Sequence, residues 1–214
     1  ENIVMVDSKG VINNKRQNLT PQKQEFMTTR DINTLEEAMV GADVFLGLSR
    51  ADILTQDMIR SMNDKPIVFA LANPNPEIAY DKAKESRPDL IFATGRSDYP
   101  NQINNVIGFP YIFRGALDVA ATAINEEMKL GAVRAIAALA KQPVPDVVNE
   151  TYHVNNFTFG PDYFIPKPVD PRLITEVSMA VARAAMESGG ARKPITDWEA
   201  YRQHLLELMG QESK

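Results

Sequence analysis

Asp7 follows the apolar run Ile3 to Val6 and opens the tetrapeptide Asp7-Ser8-Lys9-Gly10. A carboxylate at the end of a buried strand is the group that accepts hydrogen bonds from the adenine ribose in dinucleotide-binding folds. Around it stand Ser8, Lys9, Lys15, Arg16 and Lys23, the cations and hydroxyls that a ribose 2′-phosphate requires, which tilts cofactor choice towards NADP over NAD. The same residues read equally as a polar turn and a solvated basic loop, because an acidic residue is only one part of a dinucleotide fingerprint.

A second segment, Ala72-Asn73-Pro74-Asn75-Pro76-Glu77, comes directly after another apolar run. Open α/β sheets bind ligands beyond the carboxyl ends of their strands. There Asn73 offers an amide donor and acceptor to a ligand, on a turn stiffened by Pro74 and Pro76. The alternative is a helix-entry turn capped by Asn75. The third segment runs from Thr94-Gly95-Arg96-Ser97-Asp98-Tyr99-Pro100 through Asn101-Gln102-Ile103 to Asn104-Asn105-Val106. Two adjacent Asn at a helix start suit an anion such as a substrate carboxylate, since free N–H groups and the helix dipole favour negative charge. One of the two could equally be the N-cap. Arg114 and Asp118, four apart, read as a surface ion pair. His153 and His204 stand far apart, with no acid or nucleophile near either in sequence, and read as structural or solvated.

The elements that must position these residues are short and alternate. Ile3 to Val6, Asp43 to Leu48, Pro66 to Ala72 and Leu90 to Thr94 read as four strands of one parallel sheet, apolar enough to be buried on both faces. Thr34 to Val40, Thr55 to Met62 and Pro76 to Lys84 are the helices between them. After residue 103 the chain turns helical. Asn104 to Thr122 is expected to be kinked at Pro110, and Asn125 to Lys141 is Ala-rich. Gln142 to Pro171 reads as a long connection. Asp170 to Ser188 is a helix capped by Asp170 and ended by Gly189-Gly190, and Asp197 to Met209 is a last helix. The fold class is therefore α/β, a Rossmann-like parallel sheet lacking its first βα unit, with a helical C-terminal region. Residues 1–190 form the partial cofactor domain, and 191–214 a helix or linker to a further domain. Asp7, Asn73 and Asn105 are expected to converge on one crevice.

With 44 % apolar and 24 % charged residues, the 214-residue chain has the profile of an ordinary soluble protein with one sizeable core. Its net charge of −5 gives no general attraction to nucleic acid or membrane, and no basic run could neutralise a phosphate backbone. Without Cys there are no disulfides and no thiolate metal sites. No apolar run is long enough to span a bilayer, and the cytoplasm is the default compartment. The chain opens on a strand at Glu1 without an initiating Met, which reads as a fragment.

Taken together, Val6-Asp7-Ser8-Lys9-Gly10, Phe69-Ala70-Leu71-Ala72-Asn73-Pro74, the Thr94 to Val106 segment, Phe109-Pro110 and Phe113-Arg114-Gly115-Ala116-Leu117-Asp118 resemble the malic enzymes, especially the bacterial NADP-type form. The likeness runs to about Ser188, and the Asn-rich motif is its most specific part. It implies oxidative decarboxylation of malate to pyruvate and CO₂ with reduction of NAD(P)⁺, assisted by Mg²⁺ or Mn²⁺. It also implies Asp7, with Ser8 and Lys9, at the adenine ribose. Asn73 and Asn105 would bind malate or the nicotinamide end, and Asn104 would lie beside the cofactor. The family's catalytic Tyr and Lys, its acidic metal ligands and its Gly-rich phosphate loop have no counterpart here. They are expected upstream in a separate catalytic domain, so this piece alone should be inactive and carry no metal. A phosphotransacetylase-like domain is expected downstream in long bacterial forms, and the whole is expected to be a homo-oligomer. Two other readings remain: the cofactor domain of another two-domain dehydrogenase, and a non-catalytic nucleotide-binding or regulatory module.

Overall fold

The computed structural model describes residues 2–210, which divide into two compact units between Gly95 and Arg96. The first unit opens with a small hairpin. Strand β1 (Val6–Asp7) pairs antiparallel with β2 (Gly10–Val11), Val6 opposite Val11 and Asp7 opposite Gly10. A short helix α1 (Pro21–Gln24) starts at Thr20, whose side chain accepts from the Lys23 N–H, with Pro21 in the first turn where its missing N–H costs nothing. Helix α2 (Leu35–Met39) begins in a complete capping box formed by Thr34 and Glu37.

The parallel sheet follows. Strand β3 (Val44–Gly47) lies beside β4 (Ile67–Ala70), and β4 beside β5 (Ile91–Thr94), with Phe45, Val68 and Phe92 in register. Helix α3 (Gln56–Arg60), capped by Thr55, connects β3 to β4, and α4 (Tyr80–Ser86) connects β4 to β5. Period-two alternation sends Phe45, Val68, Ala70 and Phe92 into one core with Met39, Ile59, Met62, Ala83 and Leu90 from the helical side.

Two expectations change here. The first apolar run is not a fourth strand of the parallel sheet. The chain folds back through Ser8-Lys9 onto itself, helped by Gly10 at φ +103°, a backbone geometry that disfavours a side chain. Nor is β3 buried on both faces: Val44 and Leu46 are 55 % and 57 % exposed while Phe45 is buried.

The second unit is helical. A 3₁₀ turn (Asn105–Ile107) precedes α5 (Phe109–Asp118), and α6 (Glu126–Leu139) starts at Asn125, which accepts from the Met128 N–H. Helix α7 (Asp146–Thr151) lies within what reads from sequence as a bare connection, held by the cluster Val144, Val148 and Tyr163. Helix α8 (Leu173–Glu187) is the centre of the unit. Its Leu173, Val177, Val181, Ala182 and Ala185 join Ala116, Val119, Met128, Ala132 and Leu139 of the α5–α6 region. Helix α9 (Trp198–Leu208), capped by Asp197, adds Tyr201 and Leu205 to this core. The α5–α8 crossing is close: a Cβ at Gly115 would overlap the Ser178 carbonyl and the Val181 side chain.

Pro110 does not kink a long helix. It sits in the first turn of α5, where its ring is tolerated, and Gly108 separates that helix from the 3₁₀ turn. Asp170 does not cap α8 by the expected geometry either. The N-cap is Arg172, and the buried Asp170 carboxylate instead accepts from the Arg172 backbone N–H (3.0 Å), Nε (3.0 Å) and Nη2 (2.7 Å). At the other end, Gly189 at φ +75° lets the Gly190 N–H reach back to the Ala185 carbonyl at 2.8 Å, a left-handed helix stop.

Candidate functional site

The first chemical constellation lies on the hairpin. Arg16 approaches Asp7 with both terminal nitrogens, Nη1 to Oδ1 at 2.9 Å and Nη2 to Oδ2 at 3.0 Å, and Lys23 Nζ reaches Oδ2 at 2.5 Å. The Lys9 backbone N–H donates to Oδ1 at 3.0 Å. Local sequence places each partner. Asn13, buried, accepts the Lys15 N–H and turns the chain so that the Arg16 N–H bonds the Asn13 carbonyl. Thr20 and Pro21 start the helix that carries Lys23. The bidentate Arg16 pairing and the Lys23 contact hold the Asp7 carboxyl well below its ordinary pKa.

A carboxylate has about four acceptor sites, and here four donors fill them. Asp7 therefore has little capacity left for a ribose hydroxyl, whereas two cations around one carboxylate leave a local excess of one positive charge. Of the basic residues singled out from sequence, Arg16 and Lys23 gather on Asp7, Lys9 contributes its backbone, and Lys15 pairs instead with Asp31 at 2.5 Å. Ser8 is exposed in the turn.

The second constellation follows β4. Asn73 is exposed just past the strand's carboxyl end, and its bond to Pro74 is cis. Beneath it lies a residue to which sequence reading assigns no role. Glu77 is fully buried, and its carboxylate accepts from the Ser49 N–H (3.1 Å) after β3 and the Ala72 N–H (3.0 Å) after β4. Gly47, at the end of β3, faces that carboxylate so closely that a Cβ would overlap it. One side chain thus ties together two strand ends and the turn carrying Asn73. The only sequence signal was an acid inside an otherwise apolar Pro76–Ala79 stretch. Asn75 does not cap α4, which begins four residues later than expected, with Ala79 at its N-cap.

The Asn-rich segment divides its labour. Asn101, buried at φ +54°, donates from Nδ2 to the Pro161 carbonyl at 2.7 Å and accepts the Phe164 N–H at 3.0 Å, fastening the segment to the 160–164 turn. Asn104 is a cap, its Oδ1 accepting the Val106 N–H at 3.1 Å. The helix it starts is a single 3₁₀ turn, too short for the helix-dipole attraction expected for an anion. Asn105 is exposed, with no side-chain hydrogen bond among the described residues, which leaves both amide groups available. Arg96 pairs with Asp98 at 2.7 Å and lies 5.4 Å from the Tyr99 ring centre.

Arg114 and Asp118 do form the expected pair, through Nε at 2.8 Å and through Nη2, but it is not a surface ornament. The Asp118 side chain is 12 % exposed and accepts the Tyr201 hydroxyl at 2.8 Å, tying α9 to α5. Burial and this carboxylate push the Tyr201 phenol well above its ordinary pKa. His153 and His204 are both exposed. Among the described residues there is no cluster of three or more His, Asp or Glu placed to hold a metal ion, and no helix long and apolar enough to cross a membrane.

Comparison with known proteins fits these motifs. Residues 1–152 match the family described as "Malic enzyme, NAD binding domain". The chain is 57 % identical over 194 residues to an NADP-dependent malic enzyme of Halomonas elongata, covering 91 % of this chain and 46 % of that protein. It is 50 % identical over 202 residues to an NAD-dependent malic enzyme of Rhizobium meliloti, covering 94 % of this chain and 26 % of the relative. Among solved structures, malic enzyme of Entamoeba histolytica superposes with a TM-score of 0.80 at 35 % identity, over 96 % of this chain and 42 % of that one. The chain spans about half or less of the length of these relatives. The sheet of parallel strands, the Asn-rich segment and this family match over most of its length agree: the chain belongs to the malic enzyme family and carries its α/β NAD-binding domain.

Proposed function

We propose that this chain is the cofactor-binding part of an enzyme that converts malate and NADP⁺ to pyruvate, CO₂ and NADPH. The observation that carries the choice of NADP is the pairing of Asp7 with both Arg16 and Lys23. A carboxylate alone favours a ribose hydroxyl and repels a 2′-phosphate. With its acceptor sites filled, Asp7 instead holds two cations in place, and the 2′-phosphate takes donors from Arg16 and Lys23, with Ser8 and Lys9 on the same turn. The nicotinamide of a bound cofactor supplies the hydride acceptor. Asn73 and Asn105 hydrogen-bond malate or the nicotinamide end, and the free amide N–H₂ of Asn104 lies beside the cofactor.

The proton-transfer groups and the carboxylates that hold Mg²⁺ or Mn²⁺ belong to a catalytic domain outside this chain, so the chain by itself is inactive. Residues 1–190 act as the cofactor domain. Residues 191–214, with α9 tied back to α5, lead towards a phosphotransacetylase-like domain. The whole enzyme works as a homo-oligomer in the cytoplasm, without nucleic-acid or membrane partners. A malate-dependent NADPH assay with Mn²⁺ on the full-length protein tests this reading. Malate-dependent NADPH formation is expected, and its absence with an intact catalytic domain would refute the reading.

A further inference from the structure

The second unit contains a cavity of about 470 Å³ to which neither the sequence reading nor the proposed chemistry gives a role. Its size falls within the range of small-ligand pockets. Tyr99, Tyr152 and Phe157 supply ring walls, Tyr163 stacks on Phe157 with ring centres 5.0 Å apart, and Lys167 lines the cavity among them. Lys167 is 4 % exposed. Among the described residues no carboxylate pairs with it and no acceptor hydrogen-bonds its ammonium. Nζ stands instead 4.9 Å from the Tyr152 ring centre and 5.1 Å from that of Phe157. Burial pushes its pKa below the ordinary lysine value.

A buried lysine is ordinarily paired, because removing an ammonium from water is costly, and ring faces compensate only in part. The acids of the lining do not do this work. Asp98 is exposed and held by Arg96, and Asp162 is exposed on the 160–163 turn. Both acids stand at the exposed rim, and Lys167 is the one cation among the lining residues, beside the rings and the polar Ser97, Asn156 and Thr158.

We propose that this cavity binds a small carboxylate with a flat apolar body, the carboxylate paired with Lys167 and the body held between the rings. A single lining cation matches a single carboxylate better than a phosphate dianion. None of Asp7, Asn73, Asn104 or Asn105 lines the cavity, so the proposal gives a role to residues that the malate and cofactor reading leaves unused.

The test is ¹⁹F NMR of the full-length protein with 4-fluorobenzoate as probe and neutral 4-fluorobenzamide as control. Saturable binding of the benzoate is expected, with binding of the amide at least tenfold weaker. Lys167→Met keeps the apolar stem and removes the charge. It should weaken benzoate binding at least tenfold while raising Tm, since an unpaired ammonium no longer has to be buried. A lysine kept only for its ring contacts would lower Tm when replaced. Phe157→Leu, which keeps Lys167 and removes a wall, should weaken binding severalfold and serves if the first variant fails to fold. Asn105→Ala should leave binding unchanged. No saturable binding to the wild type, affinity unchanged in both cavity variants, or loss of binding in Asn105→Ala would overturn the proposal. The last result would place the probe at the malate site and leave the proposed function standing.

Discussion

Arg16 grips Asp7 with one guanidinium nitrogen on each carboxylate oxygen, at 2.9 and 3.0 Å, nine residues further along the chain. This fork fixes the hairpin that carries both residues and, with Lys23 on the same carboxylate, sets the local charge. Asp7 thereby becomes a residue that positions cations, where sequence alone suggests a ribose acceptor.

The fork has a pH signature. Arg16 and Lys23 depress the Asp7 pKa below its ordinary 3.8. A depressed carboxylate pKa contributes stability that is fully present above the unfolded-state value and is lost as pH falls through the folded-state value. The stability gap between wild type and Asp7→Asn should thus be constant from neutral pH down to about 4, and shrink below it. Urea denaturation across that range measures it. A gap that grows on acidification would contradict the pairing.

Glu77 should matter to the turn that presents Asn73. Removing its carboxylate orphans the Ser49 and Ala72 N–H groups, at about 1–3 kcal/mol each. Glu77→Ala should therefore lower Tm by several degrees. Gly47→Ala, which pushes a methyl group into the same carboxylate, should cost about 1–3 kcal/mol through overpacking. Wild-type Tm in both variants would show that the buried carboxylate ties nothing together.

Tyr201→Phe removes one hydrogen bond to Asp118 and little else. A bond to a charged acceptor contributes about 1.5–3 kcal/mol, and calorimetry should find a loss of that order. An unchanged Tm would mean that α9 is held by its Leu205 and Trp198 packing alone.

The two adjacent Asn residues should separate kinetically. Asn105, whose side chain makes no hydrogen bond among the described residues, is proposed to meet malate or cofactor. Asn105→Ala in the full-length enzyme should cost about 1.5–3 kcal/mol in kcat/KM for malate, roughly 10- to 100-fold. Asn104→Ala removes a cap from a single 3₁₀ turn and should cost stability of about 1 kcal/mol. Unchanged kcat/KM for malate in Asn105→Ala would remove that residue from the site.

The sequence carried what is local and periodic. The three parallel strands announced themselves as apolar runs, and the helices expected to start at Thr34, Thr55, Asn125 and Asp197 do begin there, each with that residue as its N-cap. Side-chain partners distant in sequence were not legible. Nothing in the spelling of Ser49, Ala72 and Glu77 says that they meet, because the meeting depends on adjacent strand ends. Tyr201 lies 83 residues from Asp118, so an i,i+4 pair looked superficial when it is partly buried. The first apolar run was misassigned to the sheet because its composition matches a strand, whereas its pairing depends on the turn at Ser8-Lys9 and on Gly10. Lys167 was invisible as a ligand candidate because the rings around it come from residues 10 and 15 positions away, in a stretch that looked like mere connection.

The most direct test of the central claim is calorimetric titration of the full-length protein with NADP⁺ and NAD⁺, comparing wild type with the double variant Arg16→Ala, Lys23→Ala. Loss of the two charge-assisted contacts should weaken NADP⁺ binding by roughly 10- to 100-fold per contact while changing NAD⁺ binding little, so that the preference for NADP⁺ collapses. A ratio of the two dissociation constants that is the same in variant and wild type would contradict the account.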